Sequence, residues 1–428
     1  MGSTDVRWAL GLTALALALR LAFVIAFGRT VTYDAASTTF AYNDTFFYSW
    51  TGAAISMGDG FSFLGHATAH WPPGYSFLLA GVYTVFGADT FHALVANAVI
   101  GALTVPLVYW IGHRALGRSA AIAAGAALAV FPGQILMADV ALAETLYAFE
   151  LVGFLALLMT LGRGRRALAV LGVCAGLAAL TRGEGLLFPL IVLAFGWTRG
   201  ERKLAVRQAA VVAVVMALTV TPWTIRNIDV AKGFVPVGGN ASYTLWAGHN
   251  PRANGGPVYQ TPAELARYNG LSEAEIASRQ RRAAIDWAVS HPLRELELIP
   301  LKLNALVRGD SLLIRTWINA AGQAPLTSAE TDLLGGVADL ASYALIAALL
   351  ASVVMYGRAL WRIPVVRASL AFLAAAIPLY GLVYYGNVRY RIPLEPLMLL
   401  VVCGVASRVW AARPSLAAAG EPPPTPAG

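Results

Sequence analysis

Long apolar runs recur along this 428-residue chain, each too poor in charge for the surface of a water-soluble domain. Hydrophobic residues make up 58% of the sequence and charged residues 13%. Within a bilayer no water is available to an open backbone, so only helices or closed barrels cross it. The runs are rich in Ala, Leu and Val and lack the alternation of strands, so helices are expected. Ten spans are read: Trp8–Phe27, Phe91–Ile111, Ala120–Phe131, Leu142–Leu161, Ala167–Leu180, Leu186–Trp197, Val206–Val220, Val337–Tyr356, Ala368–Tyr385 and Pro393–Val409. A further run, Tyr75–Phe86, follows Pro72-Pro73-Gly74 and is well short of the ~20 residues a span needs. The expected fold class is an all-α polytopic membrane protein of about ten transmembrane helices. An outer-face re-entrant or amphipathic segment and a small extracytoplasmic α(+β) region complete it.

Arginines set the orientation. Short loops hold Arg114 and Arg118; Arg163, Arg165 and Arg166; Arg199, Arg202, Lys203 and Arg207; and Arg358, Arg362 and Arg367, with Arg408 and Arg413 after the last span. The positive-inside tendency puts all of these in the cytoplasm, together with Arg7. The alternation closes only if Tyr75–Phe86 does not cross. The net charge of +8 is therefore a topology signal, and no nucleic-acid partner is implied. Cys174 and Cys403 fall inside apolar runs and imply neither a disulfide framework nor a metal cluster. The organisation expected is a transmembrane module over 1–221, with its first outer loop at 28–90. An extracytoplasmic region at 222–335, C-terminal helices at 336–411 and a disordered Pro-rich tail at 412–428 follow. Within the extracytoplasmic region Val235–Val258 reads as turns or short strands. Ser272–Val307 reads as helix, capped by Ser272 with Glu275 and broken at Pro292 and Pro300.

The opposite face then collects the unusual polar residues. In Tyr42-Asn43-Asp44-Thr45-Phe46-Phe47-Tyr48 a carboxylate stands just outside the first span, at the start of an amphipathic helix to Met57. Asp44 is either the cap of that helix or a general base. Glu144 and Asp139 lie at a helix start, suited to orient a substrate or to favour the helix dipole. Arg182 with Glu184, Arg226 in Pro-Trp-Thr-Ile-Arg-Asn, and Arg389, Tyr390 and Arg391 in Val-Arg-Tyr-Arg-Ile-Pro offer guanidiniums to a phosphate. The bland readings are an ion pair for Arg182, an interfacial anchor for Arg226 and a Glu395 partner for the last pair. His70, like His66 and His249, matches no metal-ligand spacing, and a divalent metal stays an open option. There is no phosphate-binding glycine loop, so an activated group must arrive on a substrate already outside the cytoplasm.

The motifs Asn-Asp-Thr-Phe-Phe-Tyr, His-Trp-Pro-Pro-Gly-Tyr, Ala-Glu-Thr-Leu-Tyr, Ala-Leu-Thr-Arg-Gly-Glu-Gly-Leu, Pro-Trp-Thr-Ile-Arg-Asn and Arg-Tyr-Arg-Ile-Pro occur in that order. Together they resemble the GT-C superfamily of lipid-linked-sugar glycosyltransferases, in its protein O-mannosyltransferase and aminoarabinose-transferase type (glycosyltransferase family 39). The resemblance implies transfer of a sugar from a polyprenyl phosphate to a protein, lipid or glycan acceptor, at the outer face of the cytoplasmic membrane. It implies that an acidic residue of the first outer loop, here Asp44, serves as catalytic base or acceptor organiser. Where such families often carry a second acid beside it, this chain has Thr45, which puts a paired-carboxylate or metal-bridged site in doubt. A single displacement inverting the anomeric centre is the expected route. The alternatives are a flippase of lipid-linked saccharides and a surface-glycan polymerase or ligase.

Overall fold

The computed structural model describes residues 2–28, 43–162, 164–198, 200–315 and 326–411. The expected tail at 412–428 and the part of the first outer loop between 29 and 42 lie outside them. Helix α1 (Ser3–Phe27) is followed by α2 (Asn43–Met57), a hairpin β1 (Ser62–Phe63) and β2 (His66–Ala67), and α3 (Gly74–Phe86). Next come α4 (Thr90–Ala115), α5 (Arg118–Val130), α6 (Pro132–Leu136), α7 (Glu144–Thr160), α8 (Arg165–Thr181), α9 (Phe188–Gly196) and α10 (Arg202–Ala231). Short helices α11 (Asn240–Gly248) and α12 (Pro262–Ala266) precede α13 (Glu273–Ser290), α14 (Pro292–Val307) and α15 (Ser311–Leu313). The chain ends with α16 (Ser328–Leu360), α17 (Pro364–Pro378), α18 (Val388–Arg391) and α19 (Glu395–Ala411).

This is a multi-pass helical membrane protein. Each of the ten expected spans falls on a helix. By length and composition six helices can cross a bilayer, or seven if α5 and the bent segment Pro132–Asp139 count as one. The bend of 50° follows Phe131, where Pro132 supplies no N–H to continue the ladder. α3, at 13 residues, is only about 20 Å long by its rise per residue. It packs on α2 through hydroxyl pairs, Thr51 Oγ1 with Ser76 Oγ at 2.6 Å and Ser49 Oγ with Tyr83 at 2.8 Å.

Buried arginines close the broken helix ends. Arg20, fully buried in α1, donates to Ala129 O (3.0 Å) and Leu128 O (3.2 Å), the last carbonyls of α5. Arg367 does the same for α9 through Ala194 O (2.5 Å) and Phe195 O (2.7 Å). Carbonyls left at a helix end need a donor, and in an apolar interior a side chain must provide it.

Several expectations need correction. Among the described residues strand occurs only in the two-residue hairpin, in the first outer loop, not within Val235–Val258. There the chain forms α11 instead. Turns and bends, as expected, lie on either side of this helix, at 236–239 and 249–256, while its Trp246 and Ala247 are buried. Pro292 starts α14 in its first turn, but Pro300 lies inside that helix and does not break it. The boundary at 221/222 falls inside α10, which continues through Pro222 to Ala231, and that at 335/336 falls inside α16. The Ser272–Glu275 capping box is present as expected.

The chain alternation makes a testable statement about sidedness. In a variant with Cys174 and Cys403 replaced by alanine, cysteines placed singly at the exposed positions Ala88 and Ala283 should both react with an impermeant thiol reagent added outside. Reaction at 283 without reaction at 88 would mean that α3 crosses.

Candidate functional site: a charged chain at the helix ends

Asp44 stands in the first turn of α2, where the helix dipole favours a negative charge. Its carboxylate is held by side chains. Oδ1 accepts from the indole Nε1 of Trp71 at 3.1 Å, and Oδ2 meets Arg389 Nη1 at 2.6 Å. Trp71 is fixed in turn by stacking on Phe47, with ring centroids 4.0 Å apart. The following Pro72-Pro73-Gly74 brings α3 against the end of α8. Gly74 lies on Thr181 so closely that a Cβ there would overlap its backbone. The step from Thr181 to Arg182 thus lies beside the loop that carries His70 and Trp71.

Arg182 forms a fork with Glu184, Nη2 to Oε1 at 2.9 Å and Nε to Oε2 at 3.3 Å, and its Nη1 bonds Glu144 Oε1. Glu144 opens α7, is almost wholly buried, and also faces Arg389 Nε at 3.0 Å. Tyr380 donates to Glu184 Oε1 at 2.5 Å. A continuous chain results: Asp44, Arg389, Glu144, Arg182, Glu184, Tyr380. The Tyr390 ring lies against both guanidinium carbons, at 5.4 Å for Arg182 and 5.6 Å for Arg389, and stacks on Tyr380 at 4.7 Å. Charges this far from water persist only when paired and hydrogen-bonded. Here three carboxylates share two guanidiniums, so the chain carries a net negative charge.

Two cavities meet at this chain. One, of about 360 Å³, has Asp44, Arg389 and Tyr390 on one side and Asn240, Tyr243 and Tyr259 on the other. The second, of about 260 Å³, borders Arg182 and Glu184 and is walled by Leu186, Leu187, Val237 and Leu379. Arg389, Tyr390, Asn240 and Thr244 line both. His70 also lines the larger cavity, and burial lowers its imidazole below the usual value despite Glu273 and Asp44 nearby.

Asp44, Glu144, Arg182, Arg389, Tyr390 and His70 are therefore brought together. Three expected residues are not. Arg391 is buried, pairs with Asp310 and Glu395, and donates to Arg308 O (2.9 Å) at the end of α14. Residues two apart in a helix project to opposite sides, so Arg389 and Arg391 cannot serve one ligand. Arg226 clamps the hairpin, bonding Thr68 O and, at 2.8 Å, Phe61 O, with its guanidinium over Trp223. That clamp spans the two-residue turn Leu64-Gly65, where both residues have positive φ (51° and 80°). Asp139 is buried against Gly28, with no hydrogen-bond partner among the described residues. Sequence reasoning missed Trp71, Tyr380, Glu273 and the tyrosines of the larger cavity. The one available signal was tyrosine density at 380–390 and 243–268. Among the described residues no group of three or more His, Cys, Asp or Glu is placed to hold a metal. The Arg389 guanidinium stands between Asp44 and Glu144 and bridges the two carboxylates itself.

Glu144 is the joint of the chain, and its loss has a defined consequence. Removing one partner of a buried pair costs about 3–5 kcal/mol. Glu144→Gln should therefore lower the thermal unfolding midpoint in detergent by several degrees. Asp44→Asn, at the open end, should lower it less.

The family model for dolichyl-phosphate-mannose-protein mannosyltransferases matches residues 70–225. No curated protein matches the sequence. Among solved structures, the oligosaccharyltransferase AglB of Archaeoglobus fulgidus, in complex with an inhibitory peptide and a dolichol-phosphate, superposes with a TM-score of 0.53 at 16% identity, covering 96% of this chain and 51% of its own. The same enzyme tethered to an acceptor peptide gives 0.52 at 17% identity, over 94% and 50%. ArnT of Cupriavidus metallidurans bound to undecaprenyl phosphate gives 0.45 at 16% identity, over 95% and 79%. The chain spans about half the length of the oligosaccharyltransferase it resembles. It shares the fold of that oligosaccharyltransferase and, over residues 70–225, matches the family model of the dolichyl-phosphate-mannose-protein mannosyltransferases.

Proposed function

We propose that this chain is a membrane glycosyltransferase that moves a sugar from a polyprenyl phosphate to an acceptor hydroxyl at the outer face of the cytoplasmic membrane, with Asp44 as general base. One observation carries the reading: of the three carboxylates in the charged chain, Asp44 is the open one. Its side chain is 21% exposed, against 1% for Glu144 and 9% for Glu184, and it lines the larger cavity. Glu273, the other acid there, is engaged by Thr68 Oγ1 and the Ala69 N–H, each at 2.6 Å. The donor class is supported by the matched family's name and by the dolichol-phosphate in the oligosaccharyltransferase complex.

In this reading the apolar smaller cavity receives the start of the prenyl chain, and Arg182 and Arg389 face its phosphate. The acceptor occupies the aromatic larger cavity. The acceptor oxygen attacks the anomeric carbon and its proton passes to Asp44. The bond from that carbon to the phosphate oxygen breaks, with its electron pair leaving on the phosphate. Fixed guanidiniums stabilise that developing charge without reorganising. In the resting protein Asp44 is tied to Arg389. A phosphate arriving at Arg389 competes with that carboxylate and releases it toward the acceptor.

This coupling separates the variants. Asp44→Asn should lower turnover by ~10²- to 10⁴-fold. It should also tighten binding of polyprenyl phosphate, because a competitor for Arg389 is gone. Arg389→Ala should weaken that binding, and Arg389→Lys should recover only part of it, since an ammonium lacks the planar fork. Labelled polyprenyl-phosphate monosaccharide, membranes and the two readouts suffice. A folded, fully active Asp44→Ser protein would sink the assignment, and so would a product that retains the donor's anomeric configuration. Unaltered label carried across the bilayer would indicate a flippase.

A further inference from the structure

A second site lies far from the charged chain. α16 packs on α19 while α17 packs on α9, so the two diverge from their shared turn at Trp361. The gap is a groove of about 1160 Å³, closed on its third side by the link between α9 and α10. Its walls are apolar, with Leu349, Leu350, Val353, Leu370 and Leu373 among them. Its mouth carries Arg202, Arg358 and Arg362, framed by Trp197 and Trp361. Among the described residues no carboxylate lines it.

The deeper Arg367 is buried and gives three N–H bonds to the Ala194, Phe195 and Trp361 carbonyls. The three mouth arginines differ. They are exposed, and no acid pairs with them among the described residues. Arg202 rests on the Trp197 ring at 5.3 Å. Arg358 lies in the last turn of α16 and Arg362 in the turn that follows it. From Leu349 to Arg358 the helix rises about 14 Å. Half a bilayer's hydrocarbon core is about 15 Å. The groove therefore has the depth of one leaflet, with cations and indoles at headgroup level.

We infer that the groove between α16 and α17 is a binding site for one anionic phospholipid, its phosphate on Arg202, Arg358 and Arg362 and an acyl chain along Leu350 and Leu373. Charge selects the occupant. Three guanidiniums against one nearby acid, Glu201, which is held by Thr198, favour a headgroup with net negative charge over a zwitterionic one, as basic pockets between membrane helices do.

Native mass spectrometry of the full chain, purified and mixed with palmitoyl-oleoyl phosphatidylglycerol or the matching phosphatidylcholine, tests this. Wild type should retain one phosphatidylglycerol in preference to phosphatidylcholine. Arg358→Gln with Arg362→Gln should weaken that retention about 30-fold, from roughly five-fold per guanidinium. Ala374→Trp, which fills the apolar floor and keeps every arginine, should also abolish it. Size-exclusion profiles and unchanged glycosyl transfer report that the variants fold. Equal retention of the two lipids, or undiminished retention by the double variant or by Ala374→Trp, would overturn the inference. Displacement of phosphatidylglycerol by equimolar undecaprenyl phosphate would overturn it as well, by making the groove a donor-lipid site.

Discussion

Arg389 is gripped on two sides, by Asp44 from the beginning of the chain and by Glu144 from its middle, while itself standing near the end. That single guanidinium ties three distant segments to one point. Arg182 extends the tie to the end of α8, and Glu184 with Tyr380 extends it to the unwound turn after α17. Burying five charged groups at the membrane boundary is unfavourable unless each is matched. The helix ends around them are thus arranged by electrostatics, and the cavities take their shape from that arrangement.

Arginine has a second use in this fold. Arg20, Arg367 and Arg391 are all buried, and all three donate to the terminal carbonyls of helices that stop inside the protein. Short or broken helices such as α5 and α9 are possible in a low-dielectric interior because a fixed cation stands where water would. The planar fork suits this, since one side chain reaches two carbonyls at once. Membrane arginines in this chain therefore divide into those that finish a helix and those that face a cavity.

That division marks the limit of what the sequence revealed. Each apolar run falls on a helix, and six helices, or seven counting one bent pair, are long and apolar enough to cross a bilayer. The alternation of arginine loops groups Asp44, Glu144, Arg182 and Arg389 on one expected face, but it groups Asp139, Arg226 and Arg391 there too, and the fold keeps those apart from the others. The roles of individual arginines were not legible. Arg389 and Arg391 look equivalent in Val-Arg-Tyr-Arg-Ile-Pro, and only the helical turn of α18 separates a cavity-facing residue from a buried one. Arg226 drew attention through its place beside Trp223, yet its partners are carbonyls more than 150 positions upstream. Pairings of that separation leave no local trace. Glycine density misled over α11 for the opposite reason: it marked the ends of a helix rather than its absence.

Glu273, at the start of α13, holds the backbone at Ala69, two residues before the Trp71 that holds Asp44. The Asp44 carboxylate is thereby linked to α13 through two hydrogen bonds and the short stretch of chain between them. A shift of α13 by a fraction of an ångström is transmitted to the aspartate without any movement of the membrane helices. The setting of Asp44 therefore depends on α13 and the loop at 68–71 as much as on the helix that carries it.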